Sequence, residues 1–371
     1  MNILLVAEDL VLNGVTRHII DLANGLVERG HLVIVAASPS GQEKKLDNRV
    51  LFIPLSLCYP NSYRKNYAGM FSAIRKLNRV IRQYNIQIIH THKRYADMFG
   101  WISAKSMRIK HVSTCHSEFY DYQWLSRFGE ITIVPTKAFV PMLVDKFSIK
   151  RDSIRIISFG IAPFRKLQQQ ELDQLRQRFD IAPNIKIIVS VGHLNKDKDR
   201  LLLLEALGKL KDIRKLHDWL CLIVGEGPER ENVSRAISSF HLEKNVVLFP
   251  AESNIEQLNN LADFCVLTSV KEAIPYVVLE AASIGKPHIA TKVGGIPDFI
   301  GEDECGICVP DRNPDLFAEK INELLDYPQK VTMLGNAARE KYSRLHMYDR
   351  FIENIEMAYK EILLLPAKEK G

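Results

Sequence analysis

LTSVKEAIPYVVLEAASIGKPHIATKVGGIPDFI, residues 267–300, holds a strand end, a loop, a helix, a second strand and a glycine turn. Residues 264–268 are a short apolar run bounded by Ser269, brief enough for a buried parallel strand. Residues 269–273 form a loop. Pro275 suits the first turn of a helix, where its missing N–H is no loss. The helix passes Glu280 and ends near Ile284, with Gly285 as its cap. Pro287 bars continuation, 288–291 reads as the next strand, and Gly294-Gly295 turns the chain into a short helix near Pro297. Two carboxylates stand out. Glu272 lies just past a strand's carboxyl end, the end that faces the ligand crevice in open α/β sheets. Glu280 follows on the helix. Either both are solvated surface acids, or both face one polyhydroxylated ligand whose hydroxyls they accept.

The order Glu272, Glu280, Gly285, Pro287 and Gly294-Gly295-Ile296-Pro297 resembles the signature of retaining glycosyltransferase family 4. Those enzymes have the GT-B fold and use nucleotide-sugar donors. The resemblance implies that Glu272 contacts the donor sugar and Glu280 the ribose hydroxyls. Ile274, Pro275, Gly294 and Gly295 would complete that side of the donor site. Asp298 stands where the family usually has Glu.

A chain of 371 residues with 46% hydrophobic content favours two domains with ordinary cores. No run approaches membrane-spanning length, and Met1 leads straight into a strand-like segment, so a cytoplasmic protein is expected. Cys58, Cys115, Cys221, Cys265, Cys305 and Cys308 are scattered and read mostly as reduced core residues. Cys305-Gly-Ile-Cys308 is a lone C-x-x-C without a second pair, a weak metal or redox signal. A net charge of +6 is modest and does not imply nucleic acid.

The chain opens as βαβ: a strand at 2–7, a turn at Asn13-Gly14, a helix over 15–29 and a strand over 32–36. Backbone N–H groups at the helix start near Gly14 suit a phosphate. The turn, helix and Arg29-Gly30-His31 resemble the family's opening, with Asn13 in place of its first glycine. Strands follow at 86–91, 110–115 and 131–135, with a helix over 95–105 after the first. His116 lies at a strand's carboxyl end and resembles the family's donor-sugar histidine. His90 and His92 read as structural. A strand at 154–158 closes the first half. Phe159-Gly160-Ile161 stands where the family often has Asn-Gly-Ile/Val-Asp, and 162–174 reads as the linker into a helix.

From Asn48 to Ala96 the sequence contains no acid but holds Arg49, Arg64, Lys65, Arg75, Lys76, Arg79, Arg82, Lys93 and Arg94. Tyr59, Tyr63, Tyr67 and Phe71 are interleaved. Met70, Ile74, Leu77 and Ile81 share one helical face, with Arg75, Lys76, Arg79 and Arg82 largely off it. This is either a core-packed helix with a solvated basic face, or a helix at an anionic membrane surface or acceptor.

The second half alternates strands at 186–191, 220–224, 246–249 and 306–309 with helices near 201–210 and 255–261. Helices over 314–342 and 347–364 end the chain. The family's Gly-Arg-Leu, loop, Lys-Gly pattern resembles the run from Gly192 to Lys198. Lys198 would contact the donor diphosphate. His193 stands in the arginine position and offers one donor where guanidinium offers five; Lys196 or Arg200 would then supply the missing contact.

The expected architecture is GT-B, two doubly wound Rossmann-like α/β domains facing across a cleft. Residues 1–165 form the acceptor side and 166–345 the nucleotide-sugar side, with 346–371 crossing back. The implied reaction is hexosyl or N-acetylhexosaminyl transfer from a UDP- or GDP-sugar co-substrate to a saccharide or lipid-linked acceptor. Retention is expected, with Glu272, His116 and Lys198 at the reacting centre and no metal. Cell-envelope polysaccharide or glycolipid synthesis at the inner membrane face is the implied setting. Another GT-B enzyme, such as a sugar-nucleotide epimerase or sugar-phosphate synthase, or a non-catalytic nucleotide-sugar binder, remains open.

Overall fold

The computed structural model describes residues 1–11, 13–57, 67–119, 126–214, 218–251, 253–310 and 312–366. The chain forms two compact units, Met1–Gly160 with Tyr348–Gly371, and Ile161–Met347.

The first unit is a seven-stranded parallel sheet. Its strands are β1 (Asn2–Asp9), β2 (Leu32–Ser38), β3 (Leu51–Pro54), β4 (Ile88–His92), β5 (Lys110–Thr114), β6 (Ile131–Val134) and β7 (Ile154–Ile156). They lie in the order β3-β2-β1-β4-β5-β6-β7. Successive strands step outward from β1 first one way and then the other, so the switch point falls between β1 and β4. The helices of this unit are α1 (Gly14–Glu28), α2 (Tyr67–Gln83), α3 (Arg94–Met107) and the chain's last, α12 (Tyr348–Leu364). Phe351, Ile352, Ile355, Tyr359 and Ile362 of α12 share one core with Ile3, Leu5, Ile19 and Leu22. Gly25 permits that packing: a Cβ there would lie 2.6 Å from the Ile352 side chain. Tyr348 adds a hydroxyl bond to Asp21 O at 2.7 Å.

Residues 51–54, to which the sequence pattern assigns no element, form β3 at the sheet edge, where Pro54 is tolerated because no further strand needs its N–H. One expectation changes. The first unit ends at Gly160 rather than at Arg165. Phe164 N donates to Ser283 Oγ (3.0 Å) and Arg165 N to Glu256 Oε2 (3.1 Å), which hold this segment to the second unit. His346 stays there too, its carbonyl accepting from Ile161 N.

The second unit has six parallel strands: β8 (Lys186–Val191), β9 (Trp219–Val224), β10 (Val246–Phe249), β11 (Phe264–Leu267), β12 (His288–Thr291) and β13 (Gly306–Val309). Their order is β10-β9-β8-β11-β12-β13, with the switch between β8 and β11. α4 (Gln169–Arg178) precedes them; between them run α5 (Arg200–Ile213), α6 (Arg230–Ser239), α7 (Ile255–Leu261), α8 (Tyr276–Ser283) and α9 (Ile296–Ile300); α10 (Pro314–Asp326) and α11 (Pro328–Leu345) follow. The helical stretch read over 314–342 breaks at Tyr327. Pro328 biases its predecessor away from helix and then opens α11 at its first turn.

Candidate functional site

In the second unit the loops after β8 and β11 are stitched together. Asn195 Oδ1 accepts the Lys198 N–H (3.1 Å), closing a single tight turn. Thr268 Oγ1 donates to the carbonyls of Lys198 (3.1 Å) and Asp199 (2.9 Å). Val270 N donates to Asp197 O at 2.8 Å. These bonds bring the Lys198 ammonium onto the Glu272 carboxylate as an ion pair, with side chains 22% and 10% exposed. Ser269 Oγ donates to the same carboxylate oxygen at 2.7 Å. Lys198 is therefore a paired, largely covered cation.

Gly294 holds the Glu272 loop from the other side. Its φ is +52°, and a Cβ there would sit 1.6 Å from Glu272 O. Gly295 N donates to Ala273 O at 2.8 Å, and Thr291 Oγ1 to Ser269 O at 2.6 Å. Ile274 and Pro275 are buried at the start of α8. Glu280, on that helix, is only 3% exposed, which removes the reading of it as a solvated surface acid. His193 is exposed at the end of β8.

Arg200, at the start of α5, is 2% exposed. Its Nη1 donates to Ser190 Oγ (2.8 Å), while Nε and Nη2 have no partner among the described residues. Nη2 lies 2.8 Å from where a Gly192 Cβ would stand. Burial pushes this guanidinium down to about 10. Lys196, the other substitute for His193, points to solvent. The metal-free expectation takes the sequence to hold no Asp-x-Asp, yet Asp197-Lys198-Asp199 has that spacing. Both acids face bases: Asp197 lies 3.4 Å from Lys271, and Asp199 2.5 Å from Arg312.

In the first unit Gly14 opens α1, and Asn13 caps it: Asn13 Oδ1 accepts Thr16 N at 2.9 Å. One of the N–H groups expected to meet a phosphate is thus already taken. His116, just past β5, is half-buried. Its Nε2 lies 3.1 Å from Nδ1 of His92, at the end of β4. His18, from the second turn of α1, packs edge-on to His116 with ring centroids 4.8 Å apart. His90 bonds Tyr359 (2.6 Å) and Thr114 (2.7 Å). Burial holds the His18 imidazole down at about 3 and those of His90, His92 and His116 well below the ordinary histidine range. These rings are neutral at pH 7. The sequence marks His92 as structural and gives His18 no signal of its own. The His-Thr-His spacing did place His90 and His92 on one side of a strand, but nothing local connects either ring to α1.

The basic stretch divides by position. Arg64 and Lys65, with Tyr59 and Tyr63, lie outside the described residues. Arg49 pairs with Asp47, Lys93 with Asp9, and Arg94 lies over the Phe119 ring. Leu77 and Ile81 face the core, while Arg75, Lys76, Arg79 and Arg82 are exposed on α2. Phe71, 59% exposed, lies under the Arg75 guanidinium at 4.7 Å. Cys115, Cys221, Cys265, Cys305 and Cys308 are free thiols. Among the described residues no helix is long and apolar enough to cross a membrane.

Two doubly wound parallel-sheet units, each with candidate site residues near its central strand ends, define the GT-B class. The model for group 1 glycosyl transferases matches residues 172–341, and that for glycosyltransferase family 4 matches residues 12–164. The chain belongs to the GT4-type glycosyltransferases. It is 25% identical over 366 residues to N-acetyl-alpha-D-glucosaminyl L-malate synthase of Bacillus anthracis, covering 92% of each chain. A glycosyltransferase structure from Rickettsia africae superposes with a TM-score of 0.86 at 24% identity, over 98% of this chain and 99% of that one. HepE from Anabaena, solved with UDP-glucose, superposes with a TM-score of 0.81 at 18% identity, over 97% of this chain and 100% of that one.

Proposed function

We propose that this glycosyltransferase moves a hexosyl or N-acetylhexosaminyl group from a UDP- or GDP-sugar to an acceptor hydroxyl, with retention and without a metal in the transfer step. The observation that supports this most is the Lys198–Glu272 pair at the ends of β8 and β11. A lysine there can meet the negative charge that develops on a leaving diphosphate. Glu272, freed from Lys198 when the donor binds, is placed to accept from sugar hydroxyls and hold the anomeric carbon for attack. On this reading Glu280 takes the ribose hydroxyls and His116 a sugar hydroxyl. The UDP-glucose bound to HepE supports the donor class. The exposed bases of α2 support a lipid-linked acceptor at an anionic surface, in envelope polysaccharide or glycolipid synthesis.

A nucleotide-sugar panel, screened by thermal shift and then by turnover in EDTA, tests the reading. Glu280→Ala should weaken donor and free nucleotide together, because ribose is common to both. Glu272→Ala should mainly damage transfer. Equal loss of free-nucleotide affinity in the two variants contradicts the assignment, as does an absolute need for a divalent cation.

A further inference from the structure

We propose that His18, His92 and His116 form a binding site for one zinc-class divalent cation, which ties α1 to the ends of β4 and β5. The site shares His116 with the proposed function, but cation affinity and sugar transfer are read by separate measurements. One ligand nitrogen from each ring lies within 4.8 Å of the other two. The three residues come from separate elements, so the convergence is made by the fold.

The second observation is a deficit of partners. His18 and His92 are fully buried, yet among the described residues both ring nitrogens of His18 and Nε2 of His92 have no hydrogen-bond partner. A buried polar nitrogen left unpaired is costly and calls for a water or ion to explain it. Here the orphaned atoms belong to the same rings that converge. Only the His92–His116 contact, at 3.1 Å, satisfies any of the three through another member.

The donor set selects the cation. Three imidazoles with no carboxylate suit zinc, copper or nickel and not magnesium or calcium, which require oxygen. Zinc–nitrogen bonds of about 2.0–2.1 Å place tetrahedral ligands about 3.3 Å apart. The His92–His116 pair is already near that spacing. The widest separation must close by about 1.5 Å, which rotation about the soft Cβ–Cγ bonds of the rings can largely supply. The His92–His116 contact needs one N–H proton. When the cation replaces that contact, the donor ring moves its proton to its other nitrogen, and no proton need leave the protein. Three protein ligands leave a fourth position for a water, and His116 is the half-buried member of the set.

The test is zinc competition against a chromogenic chelator, using the full-length protein stripped of metal. One equivalent should bind and raise the melting temperature. His18→Gln and His92→Gln should each lose more than the roughly 10–100-fold in affinity that losing an outer partner costs. His241→Gln, at an exposed site outside the cluster, should bind as the wild type does. Cobalt should give the intense visible bands of a four-coordinate site in the wild type, a readout that survives even if a variant folds poorly. Absence of stoichiometric zinc binding overturns the proposal. So does binding that persists in both cluster variants, or a cobalt spectrum with only weak six-coordinate bands.

Discussion

The two sheets share one topology around their switch points and use it in opposite electrostatic ways. At the ends of β4 and β5 the first unit gathers neutral imidazoles in a dry setting. At the ends of β8 and β11 the second unit gathers full charges, Lys198 against Glu272 and Asp199 against Arg312. Histidine can be buried by giving up its proton, at the cost only of a lowered pKa. Lysine and glutamate remain charged and need a partner as they lose water. Neighbouring positions on one topology therefore yield a proton- or cation-sensitive cluster in one unit and a preorganised charge pair in the other.

Acidification should separate the units most. An unfolded histidine takes its proton near 6.5, while His18 and His111 stay neutral in the fold down to about 3. Between these values the unfolded chain binds more protons, so stability falls as pH falls. Each such group contributes a slope of about 1.4 kcal/mol per pH unit within the window. His90, His92 and His116 act in the same direction. Buried Asp97, raised well above its ordinary value, opposes them with one proton. The second unit holds His288, also down at about 3. Hydrogen exchange on the intact chain with a chelator, at pH 7 and pH 5, should show the first unit losing more protection. Equal loss would break the contrast.

Lys198→Ala tests the charged site. Turnover should fall by about 10²–10³, or ~3 kcal/mol in the barrier. Because Lys198 is paired and mostly covered, some stability should go too, less than turnover loses; denaturant melts beside single-turnover rates separate the two. Normal turnover would remove Lys198 from the reacting centre.

The α2 face should give a smaller effect per residue. Each base near an anionic leaflet contributes about 1 kcal/mol at low screening. Replacing Arg75, Arg79 and Arg82 with Glu should abolish vesicle sedimentation with anionic lipid while sparing donor hydrolysis, and salt should mimic this in the wild type. Lys76 is the weaker test, because its ammonium already reaches Pro54 O at 2.5 Å. A wild type indifferent to lipid charge would leave the face merely solvated.

The smallest effect expected is that of His193→Arg. The residue is exposed, so the added guanidinium should tighten diphosphate binding by under ~1 kcal/mol. Isothermal titration with UDP and GDP checks this. No gain would point to Arg200, buried beneath Gly192, as the guanidinium already acting there.

Much of the architecture was present in the one-dimensional pattern. Residues 186–191, 246–249, 255–261, 288–291 and 306–309 were read with the bounds the structure has, because short apolar runs between glycines and prolines admit few alternatives. Glu272 stands out by its place just past a strand and Gly294 by its turn, both local properties, while Lys198 stands out only by resemblance to the family's pattern. Residues 51–54 were missed because an edge strand is only half-buried and carries little hydrophobic signal. Residues separated by scores of positions were less legible. Nothing near His18 says that α1 will lay it against His92 and His116. Nothing near Arg200 says that it will lose its water and two of its partners. The sequence by itself determined where strands, helices and the loop acids lie, since periodicity and turn chemistry act over a few residues. Only the tertiary structure decided which side chains became neighbours, and so which charges were paired and which imidazoles were left dry. Burial and distance are properties of the packed chain.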